Sequence, residues 1–244
     1  SHTQPGNVKG YYKKMNNYLD YKSGAVIIMN KDIAQDVIVT EGEAYGVELM
    51  LKKPVGQLNG WVSYTWSKTR LRETEDRGTN TVNGGNWYDA AYDKPHDIKL
   101  VANYKITHRV SISANADYST GRPITVPVAK YDYAGGERLF YSERNSYRIP
   151  DYFRLDAALN VEPTHKLKAF THFSFTVGVY NVTGRKNVYS VYFDTDANGN
   201  IQGHKLCIFG APIPYVNLNF KLRRNIYEKP LHWRLSRDWH PSYY

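Results

Sequence analysis

The run Asp194-Thr195-Asp196-Ala197-Asn198-Gly199-Asn200 carries the alternating oxygen donors and glycine turn that open a calcium loop. The closing bidentate glutamate is missing, because the twelfth position of that register is Lys205. Asp194, Asp196 and Asn198 are therefore a weak metal set. A hairpin turning at Asn198-Gly199, between strands at Val188–Asp194 and Ile201–Phe209, accounts for the same residues. A second group is aromatic: Trp87, Tyr88 and Tyr92 stand beside Asp89 and Asp93 in a stretch rich in Gly and Asn. Exposed rings in a loop stack on a sugar or a chelate, or else pack the loop on its neighbours. Tyr131, Tyr133, Phe140 and Tyr141 pose the same choice. Arg144, Arg148 and Arg154 with Glu143, Asp151 and Asp156 suggest a charged network, with capture of an anionic ligand as a secondary role.

Covalent chemistry finds no comparable foothold. His96, His108, His165, His172, His204, His232 and His240 are dispersed, without the close spacing of a zinc site. No GxSxG elbow, P-loop or HExxH motif occurs. A Ser/His/Asp or paired-acid group assembled from separate strands stays open, and no cofactor is implied.

The elements that position these residues follow from period-2 patterning. Of the 244 residues only 41% are hydrophobic, yet 22 are tyrosine and five are tryptophan. The longest apolar run, Ala25–Met29, is far short of the roughly 20 residues a membrane helix needs. Alternation is clear elsewhere. Ile98, Leu100, Ala102, Tyr104 and Ile106 oppose Asp97, Lys99, Asn103 and Lys105. Val110, Ile112, Ala114 and Ala116 oppose Arg109, Ser111, Ser113 and Asn115. Similar strands begin near Tyr45, Val62, Phe153, Phe173 and Pro214, whereas Tyr11–Tyr21 is weak, placing Met15, Leu19 and Tyr21 with Lys13 and Asn17. The total is about eight antiparallel strands of the 9–11 residues a tilted membrane strand requires.

Their connections are lopsided. Short ones fall at Pro54–Gly60, Ile106–Arg109 and Pro163–Lys168; long ones at Lys22–Thr40, Arg72–Lys94, Gly121–Ile149 and Thr183–Ala211. A transmembrane β-barrel of the bacterial outer membrane has short periplasmic turns and long outer loops. Aromatics near strand ends (Tyr64, Trp66, Tyr104, Tyr118, Tyr152, Tyr180, Tyr215) suit its interfacial girdles. The apolar face then meets lipid and the polar face the lumen. Formal net charge is +9, but the basic residues are scattered. Lys52–Lys53, Arg70–Arg72 and Arg223–Arg224 sit at strand ends, near lipid headgroups. Lipid bilayer and lipopolysaccharide are the expected surroundings, and nucleic acid is not an expected partner. Cys207 is the single cysteine, and Ser1–Gly10 shows no secretory h-region.

Several segments in order resemble the C-terminal barrel strands of TonB-dependent outer-membrane receptors, especially those of the Bacteroidetes type. They are Gly42–Lys53 (GEAYGVELMLKK), Trp61–Thr69 (WVSYTWSKT), Ala91–Leu100 (AYDKPHDIKL) and Tyr118–Thr125 (YSTGRPIT). Tyr141–Asp156, Tyr180–Phe193 and Gly210–Leu222 complete the set. The resemblance implies an all-β wall within a barrel of about 22 strands closed by a plug. It implies import of a scarce, bulky nutrient energised by a TonB complex acting on that plug. The plug and the remaining strands are expected from a longer chain or a second chain, with a surface lipoprotein as a further candidate partner. Residues 1–222 are read as barrel and 223–244 as a basic, aromatic, flexible tail. Val216, Leu218 and Phe220 resemble the assembly signal of a last strand, and the asymmetry of the connections places Leu222, and so the C-terminus, at the periplasmic end. The trio is equally accounted for as one more lipid-facing strand. Among outer loops, Trp87, Tyr88, Tyr92, Tyr131, Tyr133, Arg144 and Arg148 are the ligand-binding candidates. A self-contained eight-stranded barrel with an adhesion role and an outer-membrane enzyme are the competing readings.

Overall fold

The computed structural model describes residues 4–22, 36–133, 135–162, 171–196, 199–208 and 210–222. The expected turn at 163–168, the calcium candidate Asn198 and the tail 223–244 lie outside the described residues. In chain order, β1 (Gln4–Tyr21), β2 (Val37–Lys53) and β3 (Leu58–Glu73) precede two short 3-10 turns, Gly78–Asn80 and Val82–Gly85. Then come β4 (Tyr88–Asp89), β5 (His96–Lys105), β6 (Val110–Ser119), β7 (Pro123–Ile124), β8 (Pro127–Tyr133), β9 (Gly136–Tyr141) and β10 (Tyr147–Arg148). β11 (Tyr152–Val161), β12 (Thr171–Tyr180), β13 (Val188–Thr195), β14 (Ile201–Cys207) and β15 (Ile213–Leu222) finish the chain.

One antiparallel sheet runs β1-β2-β3-β5-β6-β11-β12-β15, an eight-strand meander with β4 added beside the upper part of β3. The smaller pairs β7–β10, β8–β9 and β13–β14 all belong to the long connections. Within the described residues β1 and β15 do not pair with each other. The sheet is open, so the closed eight-stranded barrel is not formed.

Register assigns the two faces. Val47, Leu49 and Leu51 of β2 lie opposite Trp66, Tyr64 and Val62 of β3, which lie opposite His96, Ile98 and Leu100 of β5. That apolar face continues through Ala116, Leu155 and Leu159 to Val177, Val216 and Leu218. Among the described residues it stays uncovered: Leu51 is 59% exposed, Val216 62% and Leu218 49%. The other face is polar. Asn160 Nδ2 donates to Ser113 Oγ at 3.1 Å and Thr176 Oγ1 to Asn160 Oδ1 at 2.9 Å, linking three strands by side chains alone.

Two departures from strict alternation have physical causes. In β1, Met15 pairs with Gly42 but Tyr18 with Thr40, so one extra residue bulges the strand, and Asn17 takes a φ of 53°. A one-residue slip reverses the faces. Leu19 therefore shares the apolar side, while Met15 and Lys13 share the polar one, which is why period-2 patterning fails there. Second, β1, β2 and β3 run 18, 17 and 16 residues, longer than a membrane crossing requires. Their upper ends carry Glu41–Arg72 and Glu43–Arg70 ion pairs on the same side as the apolar face. Charges on a lipid-facing surface cost several kcal/mol near mid-bilayer, roughly 2–4 for a basic residue. The hydrocarbon boundary thus lies below Glu43–Arg70, at the level of the Tyr45–Trp66 ring contact (centroids 6.0 Å apart).

Candidate functional site

Above that boundary the long connections fold over the polar face and build a mouth. The Arg72–Lys94 connection lays Val82, Tyr88 and Ala90 against Ile38 and Leu71, forming the buried apolar cluster of the described chain. β4 sets this packing: pairing with Arg70 and Leu71 turns Tyr88 inward, where it is 4% exposed. The Tyr88 hydroxyl donates to Asp20 Oδ2 at 2.9 Å, and burial pushes its pKa well above the usual tyrosine value. Glu73 anchors the same connection by accepting from Arg77 and, at 2.7 Å, from the Val82 N–H. Burial alone raises its pKa, but the Arg77 hydrogen bond, the Val82 N–H and the nearby guanidinium charges outweigh it and hold the carboxyl below its usual value.

A clasp joins this connection to the next. The Arg144 N–H donates to Asn83 Oδ1 at 2.8 Å and Asn83 Nδ2 to the Arg144 carbonyl at 3.3 Å. Asn145 Nδ2 donates to the Asp89 carbonyl at 2.7 Å. Arg144 itself reaches Asp20 at 3.1 Å and lies 5.3 Å from the Tyr88 ring centre. Arg148 donates to Asp89 Oδ2 at 2.6 Å, to Asp93 Oδ2, and to the Asp93 and Gly121 carbonyls at 3.0 and 2.9 Å. Asp93, 2% exposed, also accepts from the Thr69 N–H at 2.7 Å. The expected charged network is present with different partners: Arg144 and Arg148 reach acids some 55 residues or more away, not Glu143 or Asp151.

Beside this clasp lies a cavity of about 590 Å3, set on the polar face at the tops of β6, β11 and β12. Its walls are Ser119, Tyr152, Arg154, Tyr180 and Ile213 from the sheet, with Lys94, Thr120, Arg122, Ile149, Val188, Tyr189 and Ile208 from the connections. Gly121 makes this closeness possible, since a Cβ there would sit 1.7 Å from the Ile149 carbonyl oxygen. The Gly121 N–H instead donates to Asp151 Oδ1 at 2.9 Å and the Tyr118 hydroxyl to Oδ2 at 2.8 Å, which together hold the Asp151 carboxyl below its usual pKa. Asn187 acts as a substitute strand: it accepts from the Phe153 N–H at 3.0 Å and donates to the Phe153 carbonyl at 2.9 Å. The Arg154 guanidinium lies 5.2 Å from the Tyr180 ring and bonds Asp156 at 2.8 Å; Tyr180 stacks on Tyr215 at 4.2 Å.

The candidates read from sequence fall elsewhere. Trp87 lies on the outward side, 4.8 Å from Arg72 and 5.8 Å from Arg70. Tyr88, Arg144 and Arg148 are brought together in the clasp, and Tyr92 stays 53% exposed. Tyr131, 52% exposed, and Tyr133 belong to the separate β8–β9 hairpin, where Tyr133 pairs with Gly136. None of the seven lines the cavity. Its aromatic walls are Tyr152, Tyr180 and Tyr189, the first two expected in a lipid girdle but turned inward by register, as is Tyr215. Asp194 pairs with His204 at 3.0 Å, while Asp196 accepts from the Asn200 N–H at 2.8 Å and from Gln202 at 3.1 Å. They close the β13–β14 hairpin, with Gly199 at φ 78°. Val216 and Leu218 lie on the apolar face, and Phe220 is paired with Phe173 in the same register.

The family described as "TonB dependent receptor-like, beta-barrel" matches residues 3–182, well over half of the chain. No curated protein matches. Among solved structures, the ferripyoverdine receptor of the outer membrane of Pseudomonas aeruginosa, determined with ferripyoverdine bound, is 13% identical with a TM-score of 0.46. That similarity covers 82% of this chain, and the chain spans only 23% of that receptor. The matched family comprises outer-membrane receptors that transport, not enzymes. With antiparallel strands, an outward apolar face and a built mouth, the chain belongs to the TonB-dependent receptor β-barrel family.

Proposed function

We propose that this chain forms part of the wall and outer loops of a receptor that imports a scarce, bulky nutrient, such as a metal chelate or an oligosaccharide, across the outer membrane. The observation that carries this reading is the family match over residues 3–182 on a sheet whose β1 and β15 edges lack a strand partner among the described residues. Further strands completing a barrel of about 22, with a plug and a TonB complex acting on it, fit those edges. The segments resembling Bacteroidetes-type receptors support that subtype and, with it, a surface lipoprotein over the long loops. Leu222 ends β15 at the short-turn end of the sheet, which favours a periplasmic C-terminus. Lipopolysaccharide headgroups then meet the outward side above the Tyr45–Trp66 level, where the Glu41–Arg72 and Glu43–Arg70 pairs lie.

The binding surface is the mouth, including the cavity beside the β13–β14 hairpin. The Arg148 clasp holds the loops that frame it; the exposed rings of Tyr92 and Tyr131 offer first contacts. Mass spectrometry of spent growth medium tests the proposal. The same compound should remain in the medium when either this gene or the tonB gene is deleted. Depletion that continues without TonB would overturn energised import.

A further inference from the structure

We infer that the ligand seated in the cavity is an anion with a flat apolar face. This inference rests on the reading of the mouth as a receptor's binding surface. The cavity is lined by Lys94, Arg122 and Arg154 and by no Asp or Glu. Arg154 pairs with Asp156, whereas Arg122 and Lys94 form no ion pair among the described residues, although the Lys94 charge acts on Asp117 from a distance. Arg122 donates to the Tyr189 carbonyl at 2.9 Å, a neutral acceptor, and packs 5.8 Å from the Tyr189 ring centre. Lys94 has no carboxylate at ion-pair distance among the described residues.

A guanidinium held by one carbonyl keeps donors for charge-assisted bonds, which are roughly twice as strong as neutral ones. Both cations keep donor capacity at the cavity, Lys94 exposed and Arg122 half-exposed, so an anion gains charge-assisted bonds there that its neutral isostere does not. Tyr152, Tyr180 and Tyr189 supply ring surface beside those cations. A volume of about 590 Å3 suits one ring-bearing portion of a ligand. Carboxylate, sulfonate and phenolate share the required chemistry.

The test is equilibrium binding of 2-naphthoate and of its neutral isostere 2-naphthamide. The receptor is purified whole from outer membranes into nanodiscs, with empty nanodiscs as the blank, and titrated by calorimetry near neutral pH. The acid should bind about tenfold tighter than the amide. The double variant Arg122→Gln with Lys94→Gln should bring that ratio close to one and leave amide affinity unchanged. Tyr189→Ala should weaken both compounds alike. Carboxylate and sulfonate arms, 2-naphthoate against 2-naphthalenesulfonate, separate the two anion types. Equal binding of acid and amide, binding of neither, or a preference that survives the double substitution would overturn the inference. TonB-dependent depletion of the medium decides the receptor reading independently of all three results.

Discussion

The lower wall and the mouth are built from the same strands but are stabilised in opposite ways. Below the Tyr45–Trp66 level, the sheet leaves Leu49, Leu100, Ile112, Leu159 and Val177 uncovered on one side. A surrounding apolar medium makes that arrangement stable, because large contiguous apolar patches are rare on the surfaces of soluble monomers. Above it, Ile38, Leu71, Val82, Tyr88 and Ala90 exclude water among themselves, and Asp93, Glu73 and Thr40 are buried with partners. The wall relies on lipid; the mouth carries its own small core. A substitution that harms one region should therefore leave the other nearly untouched.

The largest effect is expected from charge on the outward face of the wall. Leu100→Arg should cost about 2–4 kcal/mol in denaturant unfolding from lipid vesicles, whereas the same change at Val128 on the exposed β8–β9 hairpin should cost under about 0.5. Equal costs would erase the distinction between wall and mouth. Next is Arg148→Ala, which leaves Asp89 and the fully buried Asp93 carboxylate with Lys68 as their remaining cation. Because Lys68 and solvent soften the loss, the cost is roughly 2 kcal/mol, below that of a fully buried pair. It should appear as faster amide exchange in residues 82–93 and 121–148 with the wall strands unchanged.

Smaller still is Tyr88→Phe, which removes the hydrogen bond to Asp20 but keeps the packing, at about 1 kcal/mol. Exchange confined to the Tyr88 segment checks it; a change spread through β5 and β6 would contradict a self-contained mouth. The mildest perturbation is acid. Glu73 titrates below its unfolded value of about 4.3, so its stabilisation is complete above that value and is lost as pH falls through the folded pKa. The Val82 amide resonance, which reports the bond to Glu73, should hold steady at neutral pH and shift only in acid. Glu73→Gln should remove that titration.

Legibility in the sequence divided along the same line. Strands β5, β6, β11, β12 and β15 were readable because each alternates without interruption, and lipid demands nothing more specific than an apolar side chain at every second position. β1 was not, because one bulged residue near Asn17 reverses its faces and no local pattern announces it. The β13–β14 hairpin was legible, since its turn needs the left-handed conformation that Gly199 adopts. The mouth was the obscure part. Whether Tyr88 stacks on a ligand or fills a core depends on β4 pairing with Arg70 and Leu71, a contact between distant segments. The partners of Arg148 are likewise remote in sequence. Tyr152, Tyr180 and Tyr215 resemble girdle residues in every local respect, and only their register against Ser119, Ile213 and Gly178 turns them inward. Gly178 alone hinted at this, because a Cβ there would meet the Tyr215 ring at 2.5 Å.

The two ends of the sheet can be told apart directly by labelling intact cells with a bulky, membrane-impermeant maleimide. Cys207→Ser removes the one thiol of this chain, with the unsubstituted Cys207→Ser receptor as the labelling blank, and Asp132→Cys in the β8–β9 hairpin and Val55→Cys in the short β2–β3 turn each add an exposed one. Labelling of Asp132→Cys on intact cells, with Val55→Cys labelled only after the outer membrane is opened, is the predicted result. Labelling of Val55→Cys from outside while Asp132→Cys stays protected would contradict the placement of the mouth at the cell surface.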